Sequence, residues 1–146
     1  MLVKLGHASI DDQIDLASRD AWNQAFPHVP RHVHDVWIDL VVRKGMQQWS
    51  LFQEEDHDAY FLVGHISKRA MSDGKPVLHA AALDDEDPIV VFCQRETSSI
   101  DMRDIGRIRS ALFATDAPSI RHIYIALVAQ SPQSISYYAA QDSLVV

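Results

Sequence analysis

The chain has one cysteine, only five glycines among 146 residues, and no apolar run long enough to cross a bilayer. Each scarcity excludes something. A lone thiol closes no internal disulfide, and Cys93 ends the run Ile89-Val90-Val91-Phe92-Cys93, which marks it as a small core residue rather than a nucleophile. No membrane association is expected. Polar and charged residues come so early that no secretory signal is read, and the expected location is cytoplasmic. Basic residues are outnumbered, with 13 Lys and Arg against 20 Asp and Glu, for a net charge of −7. Phosphate backbones repel such a chain, so nucleic acid is not an expected partner. A protein partner engaging the acidic surface is. Acidic residues concentrate at Glu54-Glu55-Asp56 and Asp84-Asp85-Glu86-Asp87, whereas arginines gather later, at Arg95, Arg103, Arg107, Arg109 and Arg121.

What is present suits a single domain over residues 1–146, because 47% apolar residues suffice for one core and no linker or repeat interrupts them. Residues 2–5 alternate apolar and polar, as an edge strand does. Ser9, Asp11 and Asp12 are candidate N-caps for a first helix striped by Ile14, Ala17, Ala21 and Ala25, with Trp22 and Phe26 beside the stripe. Pro27 and Pro30 end it. Val33, Val36, Trp37, Leu40 and Val41 recur at i, i+3, i+4, i+7 and i+8, a second helix closed by Gly45. The period then changes to two. Residues 49–53 and 60–67 read as a hairpin around an acidic turn. After the turn Asp73-Gly74-Lys75-Pro76, residues 77–83 and 89–93 read as strands. Ser98 or Ser99 caps a helix carrying Met102, Ile105, Ile108, Leu112 and Phe113. Residues 120–129 are nearly all apolar, as in a central strand buried on both faces. Ser131-Pro132 reads as the N-cap and first residue of a last helix with Ile135 and Tyr138 inward. Residues 144–146 read as a final strand. The order of elements gives a single domain of mixed α/β type.

This order resembles the GNAT acetyltransferases, and the resemblance implies an α/β (α+β) fold with a mixed, mostly antiparallel sheet and helices on both faces. Leu2-Val3-Lys4-Leu5, with Asp11-Asp12 and Ala21-Trp22, is similar to that family's first strand and helix. Phe61-Leu62-Val63-Gly64-His65-Ile66 is similar to its third strand, and Ser131 to Tyr138 to a late strand-to-helix junction. The resemblance implies an N-acyltransferase that uses acetyl-CoA or another acyl-CoA on an amine, without a metal. It implies a cofactor bound along Phe92 and Gln94, a pyrophosphate held by Thr97, Ser98, Ser99 and Ile100, and Ser131 where active members carry an Asn. Tyr138 stands where a general acid protonates the leaving thiolate, and Glu54 where a general base sometimes sits. In the family, a Gln/Arg-x-x-Gly-x-Gly/Ala turn lets free N–H groups reach the pyrophosphate, and glycine keeps Cβ atoms out of the way. Here Gln94-Arg95-Glu96-Thr97-Ser98-Ser99 has no glycine, and Glu96 sets a negative charge beside a polyanion. The alternative implied by that departure is a noncatalytic protein-binding module of the same fold, of an immunity-like, accessory or phage-encoded kind.

A rival resemblance covers the second half. Phe92-Cys93-Gln94-Arg95 is similar in place to the Glu/Gln-x-Lys strand of Mrr-like restriction endonucleases, and Ser110-Ala111-Leu112 to a helix end. Phe92 and Gln94 stand at the acidic and Lys positions, and Leu78 or His79 near the upstream Asp. That set holds no metal for water activation, so the reading is an inactive nuclease-like domain. His28, His32 and His34 with Asp35 form a histidine-rich stretch, yet residues two apart face different ways on a helix, so a polar start to the second helix is expected instead. His65 and His79 are candidates to meet across a sheet. Trp22, Trp37 and Trp49 are assigned to the core. Of Tyr137 and Tyr138, one ring is expected to pack inward.

Overall fold

The computed structural model describes residues 2–8, 15–54, 59–66, 88–95, 122–130 and 133–139. They form one α+β domain built on six strands, β1 Leu2–His7, β2 Gln47–Glu54, β3 Ala59–His65, β4 Pro88–Arg95, β5 His122–Gln130 and β6 Gln133–Ala139. The strands lie side by side in chain order, β1-β2-β3-β4-β5-β6. Every neighbouring pair is antiparallel except β4 with β5, which run parallel. The sheet is therefore mixed and mostly antiparallel, as expected.

Two helices separate β1 from β2. α1 spans Arg19–Ala25, and α2 spans Arg31–Trp37 before continuing as a π-helical segment, Ile38–Arg43. The expected N-caps Ser9, Asp11 and Asp12 lie outside the described residues. The helix itself begins later than its apolar stripe suggests. Ser18 caps α1, its hydroxyl accepting the Ala21 N–H, while Asp15 takes the Ala17 N–H and holds residues 15–17 in a turn. A short acceptor side chain competes there with helical bonding, so Ala17 precedes the helix rather than joining it. Gly45 follows the π-helical segment at φ +75°, a left-handed position that glycine occupies without steric cost.

The two sheet faces bury separate clusters. On one face Trp49, Leu62, Ile89, Val91 and Tyr124 meet Trp22, Val33, Trp37 and Leu40 from the helices. The three tryptophans are buried and linked, with ring centroids 5.4 Å apart for Trp22–Trp37 and 5.7 Å for Trp37–Trp49. On the other face Ala59, Phe61, Val90, Phe92, Ile123 and Ile125 form an all-strand cluster, with Phe61 stacked on Phe92 at 5.1 Å. Residues of β3, β4 and β5 alternate between the clusters, so these central strands are buried on both sides. The described helices cover the first face. The helix expected from Ser98 or Ser99 onward, the strand over 77–83, the turn at 73–76 and the strand at 144–146 lie outside the described residues.

The last helix is corrected to a strand. Only two residues separate β5 from β6, and Gln133–Ala139 pairs antiparallel with β5 from Gln130↔Gln133 to Tyr124↔Ala139. Ser134 and Ser136 are exposed while Ile135 and Tyr137 are half-buried, a period of two. Left unpaired, β5 would present a bare hydrogen-bonding edge, and a short reversal covers it at once. Ser-Pro suits a tight reversal as well as a helix start, and the β-branched and aromatic residues after it favour the strand.

Trp37 joins both helices to the sheet, so Trp37→Ala should lower the unfolding free energy by about 3–5 kcal/mol. Denaturant unfolding monitored by circular dichroism should show the lower midpoint with an unchanged slope.

Candidate functional site

A polar cleft lies between the helices and β6. It has a volume of about 300 Å³ and is lined by Arg19, Asp35, Asp39, Arg43, Ser134 and Ile135, with Ile38 as a further apolar wall. The chain builds it from three distant segments. Arg19 stands in the first turn of α1. Asp35, Asp39 and Arg43 are spaced by four along α2 and the π-helical segment, which places them on one side. Ser134 and Ile135 come from β6. π-helical turns are rare and recur at functional sites, and this one supplies Ile38, Asp39 and Arg43.

The inner part of the cleft is rigidly bonded. Arg19 Nη2 donates to Asp35 Oδ1 at 2.9 Å, and Arg19 Nη1 lies 2.7 Å from His34 Nδ1. A guanidinium can only donate, so Nδ1 accepts and the proton of neutral His34 sits on Nε2. That Nε2–H donates to the Leu16 carbonyl at 2.7 Å. The imidazole is also stacked on Trp22, 4.4 Å between centroids at 19°. Burial pushes the His34 pKa below its ordinary 6.5, and Arg19 and Arg31 lower it further against the Leu16 hydrogen bond and Asp35. The outer part is looser. Asp39 Oδ2 accepts the Tyr137 hydroxyl at 2.5 Å, while Arg43 approaches Asp39 Oδ1 only to 3.7 Å with its side chain 70% exposed. Lys44 Nζ sits over the Tyr137 ring, 5.7 Å from its centroid. Tyr137 thus turns toward the helices.

The histidine-rich stretch disperses. His34 enters the core; His32 accepts a bond from Arg95 Nε at 3.3 Å; and the His28 carbonyl accepts the Tyr60 hydroxyl at 3.3 Å. Burial, then Arg95, lowers the His32 pKa. Among the described residues no three His, Cys, Asp or Glu side chains gather as metal ligands. His65 pairs with Pro88 across β3 and β4, and its expected partner His79 lies outside the described residues. Cys93 is buried and its thiol pKa is pushed far up by burial, as for a core residue.

The residues that the acyltransferase resemblance singles out separate into two groups. Glu54, Phe92 and Gln94 all belong to the second sheet face. Glu54 pairs with Ala59, and Gln94 pairs with Leu127 in a register that sets it beside Ala59, so the two side chains lie in one cross-sheet row with Ala59 between them. Both are buried, Glu54 to 5% and Gln94 to 8% exposure, and Gln94 Oε1 makes no hydrogen bond among the described residues. Gln94 and Arg95 belong to β4 rather than to the turn after it. Tyr138 lies within β6, paired with Ile125. Thr97, Ser98, Ser99, Ile100 and Ser131 fall outside the described residues. Sequence reasoning missed the cleft. The spacing of Asp35, Asp39 and Arg43 was available to find its helical wall, but Arg19 and Tyr137 reach it through tertiary structure alone.

The chain matches no protein-family model and no curated protein.

The two depressed histidines make stability depend on pH with a definite sign. Unfolding frees both rings, so below about pH 6.5 the unfolded chain binds protons that the native chain refuses. Stability should be full above about pH 7, fall as the pH drops through that value, and level off once the native histidines protonate. Thermal midpoints measured at about pH 8, 7, 6 and 5 should show this fall, and His34→Gln should flatten it.

Proposed function

We propose that the chain is a degenerate, noncatalytic GNAT-like domain that works by binding a protein partner, rather than an acyl-CoA-dependent N-acyltransferase. The observation that carries this reading is the parallel ladder between β4 and β5. It runs without a register shift from Ile89↔His122 through Gln94↔Leu127 to Arg95↔Val128. In the family that the sequence resembles, these two strands splay and the pantetheine arm pairs with backbone left free between them. Here Phe92, Cys93, Gln94 and Arg95 stand in register with Ile125, Ala126, Leu127 and Val128, and alternate residues of the two strands direct their backbone groups into that ladder. An amide already bonded in a ladder offers a cofactor nothing without breaking that bond.

Two further observations support the same reading. Arg95 is directed to His32 on the helix face. Tyr138 is a residue of a strand, paired with Ile125 in the β5–β6 ladder, whereas the family's general acid follows a strand-to-helix junction. The glycine-free run from Gln94 to Ser99 is in keeping with both. With a net charge of −7, the partner favoured is one that presents a basic face.

Thermal unfolding with millimolar acetyl-CoA tests this reading. The midpoint should not move. A rise of the size expected from a saturated native-state ligand, about 2.7 kcal/mol at a hundredfold excess over the dissociation constant, that Ser99→Glu abolishes would establish the acyltransferase site instead.

A further inference from the structure

The cleft between α2 and β6 has a feature that a surface ion-pair cluster does not need. Its charged lining is balanced, two guanidiniums from Arg19 and Arg43 against two carboxylates from Asp35 and Asp39. The four are also unequally tied. Asp35 spends Oδ1 on Arg19, and Oδ2 makes no hydrogen bond with the described residues. Among the described residues Asp39 Oδ1 has only the distant Arg43 contact at 3.7 Å. Arg43 is 70% exposed and swings on a long stem. Arg19 is fixed by His34 and Asp35, so the inner wall is preorganised while the outer pair can open.

We propose that this cleft is a binding site for a small zwitterion of the free α-amino acid class. A net cation or anion entering a neutral cleft would leave one lining charge uncompensated, which a partly desolvated site penalises. A zwitterion answers both signs at once. Its ammonium donates to Asp35 Oδ2 and Asp39 Oδ1, and its carboxylate accepts from Arg43, displacing the loose Arg43–Asp39 contact. Ile38 and Ile135 give a short apolar wall for the side chain, and the volume of about 300 Å³ suits small and medium side chains. The site lies on the helix face of the sheet and is independent of the β4–β5 ladder, so it stands or falls apart from the noncatalytic reading.

The test is calorimetric titration and thermal unfolding of the full chain with free L-alanine, L-serine and L-valine. The N-acetyl and methyl ester derivatives of each serve as probes carrying one charge or the other. A saturable midpoint rise with the free amino acids, absent with both derivatives, is expected. Arg43→Gln should weaken that binding about tenfold, and Asp35→Asn should abolish it. Asp35→Asn also removes the Arg19 ion pair, so Arg43→Gln, at an exposed side chain, is the variant on which the outcome rests, with its fold checked by circular dichroism. No saturable response to any free amino acid, an equal response to the blocked derivatives, or undiminished binding by Arg43→Gln would each overturn the proposal.

Discussion

The parallel pairing of β4 with β5 is the constraint on which the rest of the molecule depends. It is the single parallel step among the described strands, and it joins the antiparallel run β1–β4 to the β5–β6 hairpin. Parallel neighbours need a long crossover, and residues 96–121 are available to make it. Burial on both faces follows. Ile89, Val91 and Cys93 turn to the helix side with Tyr124, Ala126 and Val128, while Val90 and Phe92 turn away with Ile123 and Ile125. A one-residue slip would exchange those two sets and strand Gln94 among the tryptophans, so the register is strongly specified. In the reading proposed above, the same register closes the place where an acyl-CoA cofactor would lie, so one interaction underlies both the architecture and that reading.

The helix layer depends on a second, polar device. His34 is buried beside Trp22 and Trp37, yet all its hydrogen-bonding capacity is used, by Arg19 on one nitrogen and the Leu16 carbonyl on the other. A buried imidazole left unpaired would cost more than the bonds contribute. Satisfied, it fixes the turn before α1 against α2, and Arg19 carries that order outward to Asp35 and the cleft. Core and cleft are thus consecutive links of one chain of bonds, from Leu16 through His34 and Arg19 to Asp35. The Trp22 and Trp37 indole N–H groups are buried without acceptors among the described residues, and ring contacts with His34 and with each other line those rings.

Much of this was legible in the residues. The stripe Val33, Val36, Trp37, Leu40, Val41 announces α2, and four of its five side chains are fully buried. The change to period two announces β2 and β3, and the continuous apolar run of β5 announces a strand with no polar face. Two misreadings have local causes. Ala17 and Ala21 share a helical spacing, but Asp15 and Ser18 bind the backbone first and move the start of α1. Ser131-Pro132 satisfies the pattern of a helix start, but the open edge of β5 lies two residues away and the alternation after Gln133 fits it. The cleft was not legible, because no local pattern joins Arg19, Asp39 and Tyr137, which lie far apart in sequence. Glu54 was singled out as a general base and Gln94 for a cofactor role, and what aligns them is cross-strand register, which no motif spells out.

Native-state hydrogen exchange of the β4 and β5 amides tests the central claim most directly, since each of these strands has a neighbour on both sides. A closed ladder predicts that the amides of Phe92, Gln94, Leu127 and Val128 exchange as slowly as those of Val90 and Ile123, through global unfolding alone. Fast exchange at Gln94 and Leu127 beside slow exchange at Val90 and Ile123 would mean that the strands part at this end, and would contradict the account.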